Sequence, residues 1–412
     1  MRNCEKIDKL TVDKIMIREH DCYILEEVDC LSVDRVTFKL ITSPKFLRLI
    51  IKAINENCNI QSCPPKINGK SIRYESEDEN NPVSYVKSKS TYDPAQGATY
   101  KLIVKITFRV SALLKKQKDT QMKQTMITKP NTPYNISKLL LNELERVFTV
   151  KGNDITFDEL FSFCCIDSVN MKGCIDLKYL PNLNSENYMR LLSCARRYRY
   201  TNDYEYDYDK KELYITGRSF TLLFKDGNNK LDTINENISD DFDKHVDLYK
   251  FNKDKIYVMF RTTDKFINNN LKIISDGDDD KELISINTLV KTLRYIHESF
   301  TKFMIFMYSE CDFYDAESAL QIINNSRYHL DTKRNLCNYV KCCAKDTECT
   351  ENGKMFKEFF GVKYSNAYSN NLKKFVNMGL SPIIIPDMIN VKKYKNPLVY
   401  MYLTKRDMFD DK

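Results

Sequence analysis

Length, composition and charge already remove several protein classes. The chain has 412 residues, with 10 Gly, 4 His and no Trp against 26 Tyr, 22 Phe and 14 Cys. Rossmann and P-loop enzymes need clustered glycines around phosphate, and neither G-x-G-x-x-G nor G-x-x-x-x-G-K-[ST] occurs. The formal charge of +7, from 64 basic and 57 acidic residues, permits nucleic-acid contact without arguing for it.

The sequence lacks the apolar segments that direct a chain into or across a membrane. The opening residues, MRNCEKIDKL, have no apolar core, and no run approaches the roughly 18 to 20 apolar residues that span a bilayer. We therefore expect a soluble protein made without a signal peptide and without membrane insertion. Its expected location is the cytoplasm or nucleus, of the host cell if the protein is viral.

The order of the predicted elements indicates an α+β fold with three consecutive parts. Residues 1–133 are expected to form an N-terminal mixed α/β module with a long loop at 59–98. Residues 134–275 are expected to form a helix followed by a central antiparallel β domain. Residues 276–412 are expected to form a mainly helical C-terminal region. This length is typical of two or three domains with substantial cores.

The first part begins with strands. Two runs of alternating apolar residues between 14 and 41 predict them, and Ser43-Pro44 predicts the start of a helix, because proline is tolerated in a first helical turn. The prolines and polar residues of 59–98 predict the long loop. Thr99–Val110 predicts another strand, and the lysine-rich residues 111–133 predict a basic helix or linker.

The middle part contains the most regular pattern of the chain, RRYRYTNDYEYDYDKK at residues 196–211. Folded about residues 201–203, it predicts a hairpin in which tyrosine faces tyrosine and arginine faces an acid across two strands. An amphipathic helix at 136–148 precedes it. The strands ELYIT, SFTLLF and KIYVMF follow, and together they indicate an antiparallel domain.

The last part is predicted to be mainly helical. A long helix over 287–308 has apolar residues at helical spacing, and shorter helices are predicted at 316–325, 354–360 and 371–378. The apolar run PLVYMYLT at residues 397–404 predicts a buried strand.

Two basic segments are candidate nucleic-acid-binding sites. Cations interleaved with aromatic rings are typical of surfaces that hold a single strand by phosphate contacts and base stacking. The candidate residues are Lys115, Lys116, Lys118, Lys123 and Lys129 in the first segment, and Arg196, Arg197, Tyr198, Arg199 and Tyr200 in the second. The second segment has another interpretation, because the acids of the predicted hairpin would neutralise its arginines.

The cysteines allow three interpretations. The candidate ligands of a tetrahedral zinc site are His329, Cys337, Cys342, Cys343 and Cys349, although their C-x4-C and C-x5-C spacings differ from the usual C-x2-C. A disulfide within this group, or between Cys58 and Cys63, is the second interpretation. Buried reduced thiols are the third, and they are the usual state in a cytosolic protein. We expect no cofactor, with zinc as the alternative.

Enzyme chemistry has little support in the sequence. A cysteine–histidine dyad would have to use His297 or His329, and no motif of a cysteine hydrolase surrounds any cysteine. The acidic run SDGDDDKE lacks the D-x-D-x-D-G order of a calcium loop. We therefore expect a protein that is not an enzyme.

The sequence favours a non-enzymatic structural protein that associates with itself, such as a viral capsid, matrix or occlusion-body lattice protein. Tyrosine is enriched at protein contacts because its ring provides rigid amphipathic area. The candidate contact residues are Tyr198, Tyr200, Tyr204, Tyr206 and Tyr208, and disulfides would lock the assembly. The alternative is a single-stranded nucleic-acid-binding protein that assists replication or transcription.

Overall fold

The structure is a computed structural model, and its described residues form two compact units. Those residues are 16–17, 23–24, 31–42, 47–58, 66–68, 71–75, 81–92, 100–121, 132–149, 163–195, 201–227, 255–270, 284–345, 352–361 and 365–410. Unit I comprises Ser32–Met171 and Arg261–Ile296. Unit II comprises Met1–Leu31, Lys172–Phe260 and His297–Lys412.

Fifteen strands are present among the described residues. They are β1 (Met16–Ile17), β2 (Tyr23–Ile24), β3 (Ser32–Thr42), β4 (Lys66–Asn68), β5 (Ser71–Glu75), β6 (Val83–Tyr92), β7 (Tyr100–Arg109), β8 (Phe163–Asp176), β9 (Thr201–Asp207), β10 (Glu212–Gly217), β11 (Phe220–Asp226), β12 (Lys255–Thr262), β13 (Asp312–Asp315), β14 (Leu380–Ile385) and β15 (Lys393–Tyr394). The boundary between the two units falls within β8 and within β12.

The chain contains helices in addition to these strands and is therefore an α+β protein. They are α1 (Leu47–Cys58), α2 (Val110–Gln121), α3 (Pro133–Phe148), α4 (Ser185–Ser193), α5 (Asp264–Asn269), α6 (Ile286–Tyr308), α7 (Ala316–Asn325), α8 (Leu330–Ala344), α9 (Asn352–Phe360), α10 (Asn366–Asn377) and α11 (Pro397–Asp410). Among the described residues, no helix combines the length and the apolar character needed to cross a membrane.

Unit I is built on a sheet with one apolar face. Its strands run in the order β4-β5-β6-β7-β3-β8, and the pairs from β4 to β3 are antiparallel. On the apolar face, Phe38 of β3 and Phe108 of β7 are fully buried, with ring centroids 5.8 Å apart. Helices α1 and α3 contact each other, and the Asn57 side-chain amide of α1 donates to the Val147 carbonyl of α3 at 3.0 Å.

Unit II contains an antiparallel sheet, a small mixed sheet and most of the helices. The larger sheet has the order β12-β11-β10-β9, and in the small one β13 runs parallel to β14 and antiparallel to β15. The core holds Tyr188, Tyr308, Tyr339, Tyr394 and Tyr400. The Tyr308 hydroxyl donates to the Leu192 carbonyl at 3.0 Å, and the Tyr339 hydroxyl donates to the Pro382 carbonyl at 2.6 Å. These tyrosines therefore stabilise the interior.

The structure confirms many of the elements that were predicted from apolar periodicity. These are the strands 32–42, 100–109, 212–217, 220–226 and 255–262 and the helices 47–58, 133–148, 286–308, 316–325, 352–360 and 366–377. The basic segment after β7 is helical as far as Gln121. Helix α10 begins earlier than predicted because the Ser365 hydroxyl caps it by accepting from the Tyr368 N–H at 3.2 Å.

The prediction of a long loop over 59–98 is wrong where β4, β5 and β6 lie. The prolines that suggested a loop are outside these strands: Pro82 directly precedes β6, and Pro94 follows it. The Asn81 side chain fixes the entry to β6, because its Oδ1 accepts from the Val83 N–H at 3.0 Å and its Nδ2 donates to the Cys58 carbonyl at 2.7 Å. These prolines therefore lie between the strands of an antiparallel meander and not within them.

The hairpin predicted over 196–211 is also wrong. Residues 201–203 begin β9 and pair with β10, so the turn falls at 208–211 instead. The acid at the end of β9 determines this turn, because the Asp207 carboxylate accepts from the Lys210 N–H at 3.0 Å. The remaining residues of the predicted hairpin, 196–200, lie outside the described ranges.

The predicted strand PLVYMYLT is a helix. Asn396 caps α11: its Oδ1 accepts from the Leu398 N–H at 3.0 Å, and Pro397 occupies the first helical position. Helix α8 is an element that the sequence did not predict, and its cap is His329, whose Nδ1 accepts from the Asp331 N–H at 3.4 Å. Strands β13 to β15 add a small sheet to the mainly helical region.

Candidate nucleic-acid interface

The first basic segment is only partly described. Lys115, Lys116 and Lys118 lie in α2, whereas Lys123 and Lys129 lie outside the described residues. The Lys116 ammonium is exposed and forms an ion pair with the buried Glu143 carboxylate at 3.6 Å. Lys116 therefore contributes to the surface of unit I, but one acid already balances part of its charge.

The tyrosine-rich segment is divided in the same way. The candidates Arg196, Arg197, Tyr198, Arg199 and Tyr200 lie outside the described residues. Tyr204 and Tyr206 are half-buried in β9, opposite Ile215 and Leu213 of β10. Tyr208 in the following turn is 60% exposed, and its ring lies 4.5 Å from the Tyr206 ring, centroid to centroid.

The candidate zinc ligands differ in their burial. His329 caps α8 and is exposed, Cys337 is half-buried, Cys342 is exposed and Cys343 is buried in the core. Cys349 and Cys63 lie outside the described residues, and Cys58 is buried in α1. Within the described ranges, no group of three or more His, Cys, Asp or Glu is arranged to hold a metal ion.

A different group of cations is brought together by the sheet of unit I. The strand register places Lys66 opposite Arg73, Arg73 opposite Lys87, Lys87 opposite Lys105, and Lys105 opposite Lys39. We call these five residues the basic row. They come from β4, β5, β6, β7 and β3, and with about 4.8 Å between neighbouring strands the row spans about 19 Å.

The basic row is the centre of a larger basic face. Residues two positions apart in a strand share one side of the sheet, and the register extends that side from strand to strand. The nine basic positions on this side are Lys66, Arg73, Lys87, Lys89, Lys101, Lys105, Arg109, Arg35 and Lys39. On the same five strands, Glu75 is the acidic position of this side. The opposite side is the apolar face that carries Phe38 and Phe108.

The β8 end of the basic row includes one acid. The Lys105 ammonium lies 2.7 Å from the Asp167 carboxylate of β8, and one third of the lysine side chain is exposed. Lys39 is half-buried beside this pair. Burial raises the pKa of the nearby Cys165 thiol to about 11, although Lys39 and Lys105 both favour the thiolate. Asp167 therefore offsets one charge of the row.

Two arginines occupy the buried edge of the basic face. Arg35 and Arg109 are directly opposite each other in β3 and β7, and they are 4% and 5% exposed. Beside them, the hydroxyls of Thr37 and Thr107 form a hydrogen bond of 2.8 Å across the same two strands. Farther along the same two strands, Lys39 and Lys105 are half-buried rather than buried.

The sequence contained a signal for this face. Lys87 and Lys89 in VSYVKSKSTY, and Lys101 and Lys105 in YKLIVKITFR, are separated by two or four positions. Such spacing places basic side chains on one side of a strand. The signal was missed because 59–98 was interpreted as a loop, so β5 and β6 had no place beside β7.

Concentrated positive charge of this kind is suited to a polyanion. Phosphates attract cations that are not neutralised within the protein, and binding releases the counterions held by the nucleic acid.

Comparison of the chain with protein-family models, with curated proteins and with solved structures finds no match.

Proposed function

We propose that this protein binds single-stranded nucleic acid through the basic row of unit I. The observation that carries this proposal is the register, which aligns Lys66, Arg73, Lys87, Lys105 and Lys39 across five neighbouring strands. This is the nucleic-acid alternative of the sequence interpretation, with a binding surface on different residues. In this proposal the protein is a binding protein with no catalytic step.

The cost of the arrangement supports a functional interpretation. Like charges directly opposite each other destabilise a sheet, by about 0.2–1 kcal/mol for each pair. The row contains four such cross-strand pairs, from Lys66 and Arg73 to Lys105 and Lys39. Folding alone would favour alternating signs at these positions, and a bound phosphate chain would remove the repulsion.

The shape of the surface favours a single strand. Duplex DNA is read by helices or two-stranded ribbons that enter a groove, whereas a sheet face supports an extended strand along its backbone. The row crosses the sheet at right angles to the strands over about 19 Å, so successive phosphates can contact successive strands of the sheet. The expected contacts are mainly to phosphate, and the expected sequence preference is weak.

The test is a salt titration of binding to a fluorescently labelled oligothymidylate, measured by anisotropy. Lys105 already pairs with Asp167, and the proposal gives each of the other four residues of the row one phosphate contact. The slope of log affinity against log salt is therefore expected to be about −3. Lys87→Ala and Lys39→Ala are each expected to reduce that slope by about 0.7 and to weaken binding about fivefold at 0.1 M salt.

The matched control is Lys302→Ala, which removes an exposed cation of α6 in unit II. It is expected to leave both the affinity and the slope unchanged. Absence of binding at low salt, or an equal effect of the control and the row variants, would contradict the proposal. A duplex of the same length competes less well if the single strand is the ligand.

Self-association as a structural protein is the second candidate function, and strand β9 favours it. In unit II, β9 is the outermost strand in the order β12-β11-β10-β9, and outermost strands are the usual sites of pairing between chains. It carries Asp203, Glu205 and Asp207, and the arginines of 196–199 precede it in the sequence. A second copy running antiparallel would therefore bring opposite charges together.

Charge exchange tests this second candidate. Glu205 is exposed, so Glu205→Arg is expected to dissociate the assembly without unfolding the chain. Arg199→Glu is expected to do the same, and the double variant is expected to restore association, as measured by sedimentation velocity over a range of concentrations. Glu317→Arg, at an exposed position of α7, is the control. A wild-type chain that sediments as a monomer at every concentration would exclude this candidate.

A further inference from the structure

A cleft between three helices of unit II forms a second candidate binding site. It has a volume of about 290 Å³ and lies between α8, α9 and α10. Its lining residues are Asn335, Asn338, Phe359, Phe360, Ala367 and Asn371. Two chemical features dominate this lining, namely aromatic rings and primary amides.

Aromatic rings form one side of the cleft. Phe360 is 6% exposed, whereas Phe359 is 41% exposed and presents ring surface to the cleft. Behind them lies Tyr339, whose ring centroid is 5.7 Å from that of Phe359 and 5.3 Å from that of Phe360. Because Tyr339 is fully buried, it fixes the two phenylalanines as a firm surface on which a planar ring can stack.

Three primary amides also line the cleft. Asn335 and Asn338 are exposed on α8, and Asn371 is half-buried on α10. The Asn371 amide is oriented by two hydrogen bonds: its Nδ2 donates to the Ala367 carbonyl at 3.0 Å, and its Oδ1 accepts from the Lys374 ammonium at 3.1 Å. Each amide offers a donor and an acceptor side by side.

Cations predominate on the three helices around the cleft. Helices α8, α9 and α10 contain seven basic residues, which are Lys333, Arg334, Lys341, Lys354, Lys357, Lys373 and Lys374. They contain two acids, Asp331 and Glu358. Arg334, Lys341 and Lys373 are exposed. An anionic group is therefore favoured beside the aromatic and amide surface.

We propose that this cleft binds an adenine nucleotide. The adenine ring would stack on Phe359, and an asparagine amide would pair with its N6 amino group and N7, which present one donor and one acceptor as the amide does. The phosphate would lie toward the lysines of α8 and α10. Guanine presents two acceptors at the corresponding edge and suits arginine better than asparagine.

Isothermal titration of the full chain with adenosine monophosphate tests this site. Saturable binding is expected, with guanosine monophosphate and adenosine each weaker and ribose 5-phosphate weaker still. Phe359→Ala and Asn338→Ala are each expected to reduce the affinity roughly tenfold, the scale of one stacked base or one amide pair. Met388→Ala, at an exposed position outside the cleft, is expected to have no effect. Circular dichroism checks that each variant is folded.

Two further arms separate this site from the basic row and from a bound strand. Lys87→Ala is expected to leave nucleotide binding unchanged, and Asn338→Ala is expected to leave oligothymidylate binding unchanged. Competition by oligoadenylate but not by oligothymidylate would identify an adenine within a strand as the ligand, and competition by neither would identify the free nucleotide. Absence of saturable binding, or binding insensitive to both cleft variants, would overturn the proposal.

Discussion

In the sheets of both units, side chains alternate between the two sides of each strand, but the charges paired across neighbouring strands differ in sign. In unit I, cations face cations across neighbouring strands, as in the pair Lys39 and Lys105. In unit II, the register places Glu212 of β10 opposite Lys225 of β11, so an acid faces a base. Both patterns have a period of two, and the sign of the charges distinguishes them.

The opposite charges of unit II form a buried ion pair. The Lys225 ammonium lies 2.5 Å from the Glu212 carboxylate, and the side chains are 10% and 5% exposed. The Tyr214 hydroxyl donates to the same carboxylate at 2.5 Å. Charge in this sheet is therefore compensated by a partner within the fold. In the basic row, by contrast, the pairs from β4 to β3 set one basic position opposite another.

This difference shows how charge in a sheet can be interpreted. A cross-strand pair of opposite sign is explained by stability, since each partner compensates the other. A row of one sign weakens the sheet, and in our proposal a bound phosphate chain compensates its charge. This interpretation is wrong if the ion pair in unit II does not stabilise the fold, or if the basic row in unit I does not lower the free energy of unfolding.

The largest expected effect comes from removing one charge of the buried pair. Lys225→Met leaves the Glu212 carboxylate without its buried cation and is expected to lower the free energy of unfolding by about 3–5 kcal/mol. Urea denaturation followed by circular dichroism measures this loss. The double variant Glu212→Gln with Lys225→Met retains the shape without the charges and is expected to recover most of the stability. A single variant as stable as the wild type would contradict this account of unit II.

The buried tyrosines of unit II predict a loss of stability in alkali. Burial raises the pKa of Tyr394 and of Tyr400 to about 12, against about 10 in an unfolded chain. The folded state thus keeps protons that the unfolded state releases above pH 10. The free energy of unfolding is expected to fall between pH 10 and 12, by on the order of 2 kcal/mol for each tyrosine.

Tyr394→Phe isolates this effect, and denaturant titrations from neutral to alkaline pH measure it. Among the described residues, the Tyr394 hydroxyl has no hydrogen-bond partner, so the variant is expected to keep its stability at neutral pH. Its decline in alkali is expected to be shallower than that of the wild type. Tyr134→Phe, at a position 54% exposed, should leave the decline unchanged. Equal slopes for all three proteins would show that buried phenols do not govern the alkaline transition.

Local pattern was enough to predict much of the fold. The helix Ala316–Asn325 and the strand Ser32–Thr42 were predicted closely because their apolar periodicity is strong and their ends carry polar caps or turns. PLVYMYLT was assigned as a strand because a short apolar run has no clear period. The segment is a helix because Asn396 caps it and Pro397 is favoured at its first position.

The candidate site was harder to predict, because it depends on pairings between distant strands. Lys39 and Lys105 are 66 positions apart in the sequence, and only the register of β3 with β7 makes them neighbours. The hairpin at 196–211 failed for a related reason. Its charges matched within the segment, but residues 201–207 gain more by pairing with the buried strand Glu212–Gly217. Local charge matching did not outweigh burial.

The smallest expected effect on stability is the sharpest test of the basic row. Lys87→Glu places an acid between the positions of Arg73 and Lys105, so two repulsive cross-strand pairs become attractive. The variant is expected to gain about 0.2–1 kcal/mol of unfolding free energy for each pair, while its affinity for an oligothymidylate falls more than about fivefold at 0.1 M salt. Lys87→Gln is expected to lie between the wild type and Lys87→Glu in both measurements. A charge reversal that weakens the fold and the binding together would mean that the row supports the sheet rather than a ligand.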